Sequence, residues 1–205
     1  MTRRRSWVRR TRRREDGATI VEAALIAPVF FLLLFGIVEC GAFMFNRTAV
    51  GDAVAQAARA GSISGNDSDA DYRLIQAAKA TLPTGAFSVR YLIVFKAANG
   101  LDRMPSAECI TSAEAGGTGV TGKCNVYQRS VLVNPNAADF GFDAATAPTK
   151  TADQNWPALQ RSVSFGSGRD LVGVYVSAFY RGVSGALPSK VWAVSAVHQV
   201  EGQSV

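Results

Sequence analysis

The chain has 205 residues, 48% of them apolar, a formal charge of +6 and three cysteines. That length suits one ordinary domain plus an anchor and is short for two. The charge excess sits entirely in the first seventeen residues. There Arg3, Arg4, Arg5, Arg9, Arg10, Arg12, Arg13 and Arg14 face only Glu15 and Asp16, which leaves fourteen basic and fourteen acidic side chains in the remainder. A nucleic-acid surface needs its basic residues on the folded body, where phosphates are neutralised locally, so nucleic acid is not an expected partner.

The arginines lead into an apolar stretch. Ala23–Val38 (AALIAPVFFLLLFGIV) carries no charge, and Ala18–Val21 and Cys40–Phe45 extend it on either side, interrupted only by Glu22 and Glu39. A bilayer core needs about 20 predominantly apolar residues as a helix. A cleaved signal peptide has a shorter apolar run and a small-residue cleavage site after it, which this segment lacks. The segment is expected to anchor the chain, its arginine-rich end cytoplasmic and the remainder translocated. Residues 1–17 thus read as a basic cytoplasmic leader, 18–45 as a transmembrane helix and 46–205 as an exported domain. Pro28 removes one helix hydrogen bond and predicts a kink. Glu22 is unfavourable in an apolar helix unless paired or near the interface, which marks it as a functional candidate beside the plainer reading of a membrane-edge acid.

The helix is predicted to continue through Asn46–Ile63, which is rich in alanine and places Val50, Val54, Ala57, Ala58 and Gly61 at helical spacing. Ser64–Asp71 then reads as a solvated acidic turn, with Asp71 a candidate cap for a short helix over Tyr72–Leu82 and Pro83-Thr84-Gly85 as its stop. The period next changes to two. Strands are predicted over Phe87–Ala97, Val126–Val133, Asp170–Arg181 and Lys190–Val200. Asn134-Pro135-Asn136 is read as closing the second, and residues 134–160 as a long ordered loop. In the third, Val172, Val174, Val176 and Ala178 share one face. Helices followed by strands imply an α+β fold with an antiparallel sheet of about four strands.

Cys40 reads as a small buried hydrophobe, since Glu39 before it does not suit a lipidation motif. Cys109 and Cys124, both on the exported side, are expected to form a disulfide in an oxidising compartment, with two free thiols as the alternative. They bracket a loop in which Gly117, Gly119 and Gly122 satisfy G-x-G-x-x-G and Gly122-Lys123 approaches a P-loop. A phosphate site needs a strand before such a loop and a helix starting at it. The sequence offers ECITSAEA before and a strand after, so a flexible loop is expected. The lone histidine, His198, lies in a strand and supports neither a catalytic triad nor zinc. Asp67, Asp69 and Asp71 lack the glycine and glutamate of a calcium loop, and Asp139 and Asp143 form no recognisable acid–base pair. No catalytic residue, metal or cofactor is expected.

DGATIVEAALIAPVFFLLLFGIVECG followed by AVAQAARAG resembles the TadE-like family of tight-adherence (Tad/Flp) pilus proteins, most specifically over residues 16–61. YLIVFKA, CNVY, NWPALQR and DLVGVYVSAFY also look like longer members. The resemblance implies a pseudopilin processed by a prepilin peptidase between Gly17 and Ala18 and acting in pilus biogenesis, adhesion and biofilm formation. Ala23 stands where processed relatives commonly carry tyrosine. Cleavage after Gly17 exposes an amine on Ala18 that Glu22 of a neighbouring subunit can pair with. Implied partners are other pilus and pseudopilin subunits, the inner-membrane assembly platform, the peptidase and membrane lipid. Two other classes stay open. One is an anchored module binding a glycan or host surface, which exposed Trp156 and Trp192 would favour; the other is an exported hydrolase, for which no triad or metal set is evident.

Overall fold

The computed structural model describes residues 16–82, 87–164, 168–182 and 188–201. The leader arginines and the Pro83–Gly85 stop lie outside the described residues. Helix α1 spans Asp16–Ile63 and runs through Pro28 with helix on both sides. It is the one described helix long and apolar enough to cross a membrane. Its two parts differ in what covers them. From Ile20 to Phe45 its large apolar residues other than Phe43 are exposed, whereas Val50, Ala53, Val54, Ala57 and Ala58 are fully buried. That second set recurs at three- and four-residue intervals, one face of a helix. Small side chains there bring backbones close: a Cβ on Gly61 would lie 2.6 Å from Leu74.

Helix α2 (Ala70–Thr81) packs on α1 through Leu74, Ile75 and Ala78. Among the described residues five strands follow, β1 (Phe87–Ala97), β2 (Gly119–Val120), β3 (Cys124–Gln128), β4 (Leu171–Tyr180) and β5 (Lys190–Gln199), in one antiparallel sheet of order β2-β3-β1-β4-β5. The fold is α+β, as the sequence implies, with five strands rather than about four; the extra one is a two-residue strand too short to show a period.

The sheet buries both faces. Leu92, Val94, Val172, Val174, Val176 and Ala178 face α1 and α2 in the larger core, so the shared face predicted for the third strand is present. Tyr91, Ile93, Phe95, Val126 and Tyr175 face the other way, toward helix α3 (Ala107–Glu114). Glycine at 173 lets the Phe95 ring lie across β4, since a Cβ there would come within 2.2 Å of it.

Three local readings need correction. The second predicted strand ends at Gln128, and Arg129–Val133 forms a short helix, α4, with Leu132 in the core. Asn134 is therefore a helix cap rather than a strand end. Asp71 is not a cap: α2 begins after Asp69, and Asp71 is fully buried in the first turn. Cys40 is exposed on α1 rather than buried. The 134–160 connection is ordered, with 3-10 turns at Ala137–Asp139 and Ala158–Gln160.

Candidate functional site

The candidate site begins at the exposed half of α1. Gly17 lies in its first turn with open space around the position of a Cβ. Ala18 and Glu22 are four residues apart, so the two positions share a helix face. Glu22 is exposed and makes no hydrogen bond or ion pair among the described residues. Around and beyond it Ile20, Leu25, Leu32 and Ile37 are each at least 70% exposed. An apolar surface of this kind on all sides of a helix requires a non-aqueous neighbour.

The exposed half meets the domain at a second acidic residue. Glu39 is 2% exposed beneath the sheet. One turn later Phe43 sits edge-on to Tyr180 at 5.3 Å and to Trp192 at 6.3 Å between ring centroids. Burial raises the pKa of Tyr180, and the Glu39 charge raises it further. The sequence marked Glu39 only as an interruption of the apolar run; its position one turn before an aromatic residue was the available signal.

Behind the junction the domain is fastened by a buried polar cluster. Asp71 accepts hydrogen bonds from Tyr127 (2.6 Å), Asn125 (2.9 Å) and Arg161 (2.5 Å). The Arg161 guanidinium lies over the Trp156 ring at 4.4 Å, and Asn125 exchanges two hydrogen bonds with the Trp156 backbone. Nearby, Asp153 is buried and accepts from the Gly141 and Phe142 amides. Burial raises the Asp153 pKa against the lowering effect of those amides, and the Asp71 charge raises it further. Burial likewise holds the Tyr127 pKa well above its usual value, with Asp71 adding to it. Every donor here points into the domain interior, so the cluster joins α2, β3 and the 153–161 segment.

Cys109 and Cys124 are disulfide-bonded, so the pairing expected from the sequence is present rather than two free thiols. The glycine loop between them leaves α3 and enters β2 and β3, with no helix starting at it. It is pinned rather than flexible: Ser112 donates to the Gly119 carbonyl, Gln128 to those of Ala113 and Gly117, and the Gly122 amide to that of Asn155. His198 lies on β5 opposite Val172. Asp67 and Asp69 pair with Arg73 at the surface. Asp143 closes its own turn on Ala145 and Thr146, and Asp139 accepts from Asn136. Among the described residues no group of three His, Cys, Asp or Glu side chains is placed to hold a metal.

Residues 17–59 match the family model described as TadE-like protein, a span that starts at the first turn of α1 and ends within its buried part. The chain matches no curated protein and no solved structure. The family match supports a part in Tad pilus assembly in the broad sense, in which TadE-like proteins are structural components.

Proposed function

We propose that the chain is a membrane-anchored, pilin-like subunit, a pseudopilin, that supports Tad pilus assembly by packing, with adhesion and biofilm formation as downstream effects. The observation that carries this reading is α1: a single helix whose first part is apolar and exposed and whose second part is the spine of a folded domain. A helix built that way hands a soluble domain to a membrane and lends its exposed part to neighbouring helices. The TadE-like match covers both parts. On this reading residues 1–17 are a cytoplasmic leader, 18–45 span the inner membrane and 46–205 lie outside the cytoplasm. Its partners are other pilus and pseudopilin subunits, the assembly platform and, at Gly17 and Ala18, a prepilin peptidase.

The surface-binding alternative loses the feature that favoured it. Trp156 is 3% exposed under Arg161, and Trp192 packs on Phe43, so neither offers an open ring to a glycan. The test is co-purification: the tagged full-length chain, extracted from membranes of cells making the pilus, should bring down pilus subunits and platform proteins. Recovery of the chain without any pilus component would overturn the proposal. Protease added to intact spheroplasts should digest residues 46–205, and their protection until lysis would reverse the orientation.

A further inference from the structure

At the far end of the sheet a cleft of about 380 Å³ is lined by Lys96, Lys123 and Arg169, with Asp170 as its acid and Ala97 and Leu171 as its apolar wall. Its place in the domain follows from β5. Phe43 meets Trp192 near the start of that strand, and the Glu201 amide just past its end donates to the Ser62 carbonyl. The strand thus runs alongside α1 over an advance of nineteen helical residues, about 28 Å. Leu171 pairs with Gln199 and Ala97 with Leu171, so the cleft sits at the end of the domain remote from the exposed half of α1. On the anchoring proposed above it faces away from the membrane, out of reach of lipid headgroups.

The lysines can be reached from solvent: their side chains are 48% and 51% exposed. Each has a carboxylate beside it, Lys96 that of Asp170 at 2.9 Å and Lys123 that of Glu108. Exposed pairs of this kind are weak. An ammonium has three N–H donors, so one given to a neighbouring acid leaves two for an incoming one. Asp170 is further occupied by the Ser162 amide, which donates to its other oxygen. Three cations against two carboxylates leave one positive charge, which suits a carboxylate rather than a dianionic phosphate.

The apolar surroundings select among carboxylates. The Phe95 ring lies across Gly173 and is 2% exposed, so no aromatic face is open to a sugar acid. The aliphatic wall of Ala97 and Leu171 suits the stem of an acidic side chain. Beside it, the loop that joins the lining residues Ala98 and Ser106 carries Leu101 and Met104, 91% and 55% exposed. We infer that this cleft receives an acidic peptide of a partner protein, with a Glu or Asp carboxylate among Lys96, Lys123 and Arg169 and the peptide's apolar neighbours against Leu101 and Met104. The inference goes beyond the pilus role and does not depend on it.

The probe is the peptide Gly-Leu-Glu-Leu-Gly, blocked at both ends. It is titrated to millimolar concentration into the labelled full-length chain in nanodiscs and read by thermophoresis. Wild type should saturate within that range, and more weakly as salt is raised. The counterpart Gly-Leu-Gln-Leu-Gly controls for lipid partitioning and should bind about tenfold more weakly, the loss of one charge-assisted hydrogen bond. Lys96→Gln and Lys123→Gln should each weaken the glutamate peptide about tenfold for the same reason. Lys79→Gln removes the same charge from α2, outside the cleft, and should bind as wild type does. Thermal unfolding of Lys123→Gln should match wild type, since the pair it loses is exposed. No saturation, equal binding of the two peptides, unchanged affinity in both lysine variants or an equal loss in Lys79→Gln would overturn the assignment. Tighter binding of trigalacturonate or of inorganic phosphate than of the glutamate peptide would also overturn it. A failure of pilus co-purification with the peptide result intact would leave this site standing, which separates the two proposals.

Discussion

Asp71 and Arg161, 90 residues apart in sequence, form an ion pair at 2.5 Å with both side chains wholly shielded from solvent. The pair closes the 153–161 segment onto α2 and carries Tyr127, Asn125 and Trp156 with it. Removing one member of a buried pair strands the other charge, so Asp71→Ala is expected to destabilise the full-length chain by about 3–5 kcal/mol. Adding Arg161→Met should cost less than the sum of the single changes, because the stranded charge is gone. Denaturant unfolding in detergent measures all three variants; strict additivity would show that the pair is not energetically coupled.

The disulfide joins α3 to β3 across a sequence separation of 15. Cys109→Ser should lower stability by about 2–4 kcal/mol. Helix α3 has only Cys109 and Ala113 buried, so amide exchange over Ala107–Glu114 should rise well before the sheet opens. Peptide mapping without reductant should recover Cys109 and Cys124 as one linked pair, and free alkylation of both thiols in freshly exported protein would count against it.

Asp153 gives a pH dependence of opposite sense to most carboxylates. Its folded pKa is raised, chiefly by burial. Folding therefore favours its protonated form: the stability it contributes is complete below the unfolded pKa and is lost as pH rises through the folded value. Asp153→Asn keeps an oxygen to accept from the Gly141 and Phe142 amides. The asparagine variant should thus gain on wild type as pH is raised from 4 to 7. Thermal unfolding at the two pH values reads the difference, and a gain toward acid would reverse the sign argued here.

At the start of α1 the proposal of processing and subunit pairing makes a two-part forecast. Gly17→Leu should remain full length in the membrane. Glu22→Ala should insert and be cleaved yet fail to co-purify with pilus partners, because attraction between an α-amine and a carboxylate is far stronger in a low-dielectric bundle than in water. Intact-mass analysis and co-purification test both. Wild type that keeps residues 1–17, with unchanged association of Glu22→Ala, would leave a plain anchored domain.

The parts of the fold legible in the sequence are those set by local pattern. Phe87–Ala97 is β1 to the residue, because β-branched and aromatic side chains alternate between two buried faces. Helix α1 was visible from its apolar run and its alanine spacing. Arg129–Val133 reads as strand because Val131, Leu132 and Val133 carry strand propensity, while in the fold Leu132 enters the core from a helical turn. Helix α3 is not legible in the sequence because eight residues with two buried positions leave almost no periodicity. Asp71 looked like a solvated turn acid beside Asp67 and Asp69, since the arginine that buries it lies 90 residues away and nothing local announces it. At the junction the sequence displayed Glu39 and Phe43 but gave no hint that Tyr180 and Trp192 would meet them, a contact only the sheet register creates.

The unbroken course of α1 also sets a mechanical phase. Phe43 touches the underside of the sheet and Val50 its core, and both belong to one helix, in which each residue advances about 1.5 Å and turns about 100°. The domain's azimuth around the anchor is therefore counted out in residues. Inserting one residue between Phe45 and Val50 would swing the domain about 100° against the anchor or tear Phe43 from Tyr180, whereas inserting seven would nearly restore the heading and raise it by about 10 Å. The helix thus works as a keyed shaft, and whatever neighbours its exposed half finds, the domain presents one fixed side relative to them.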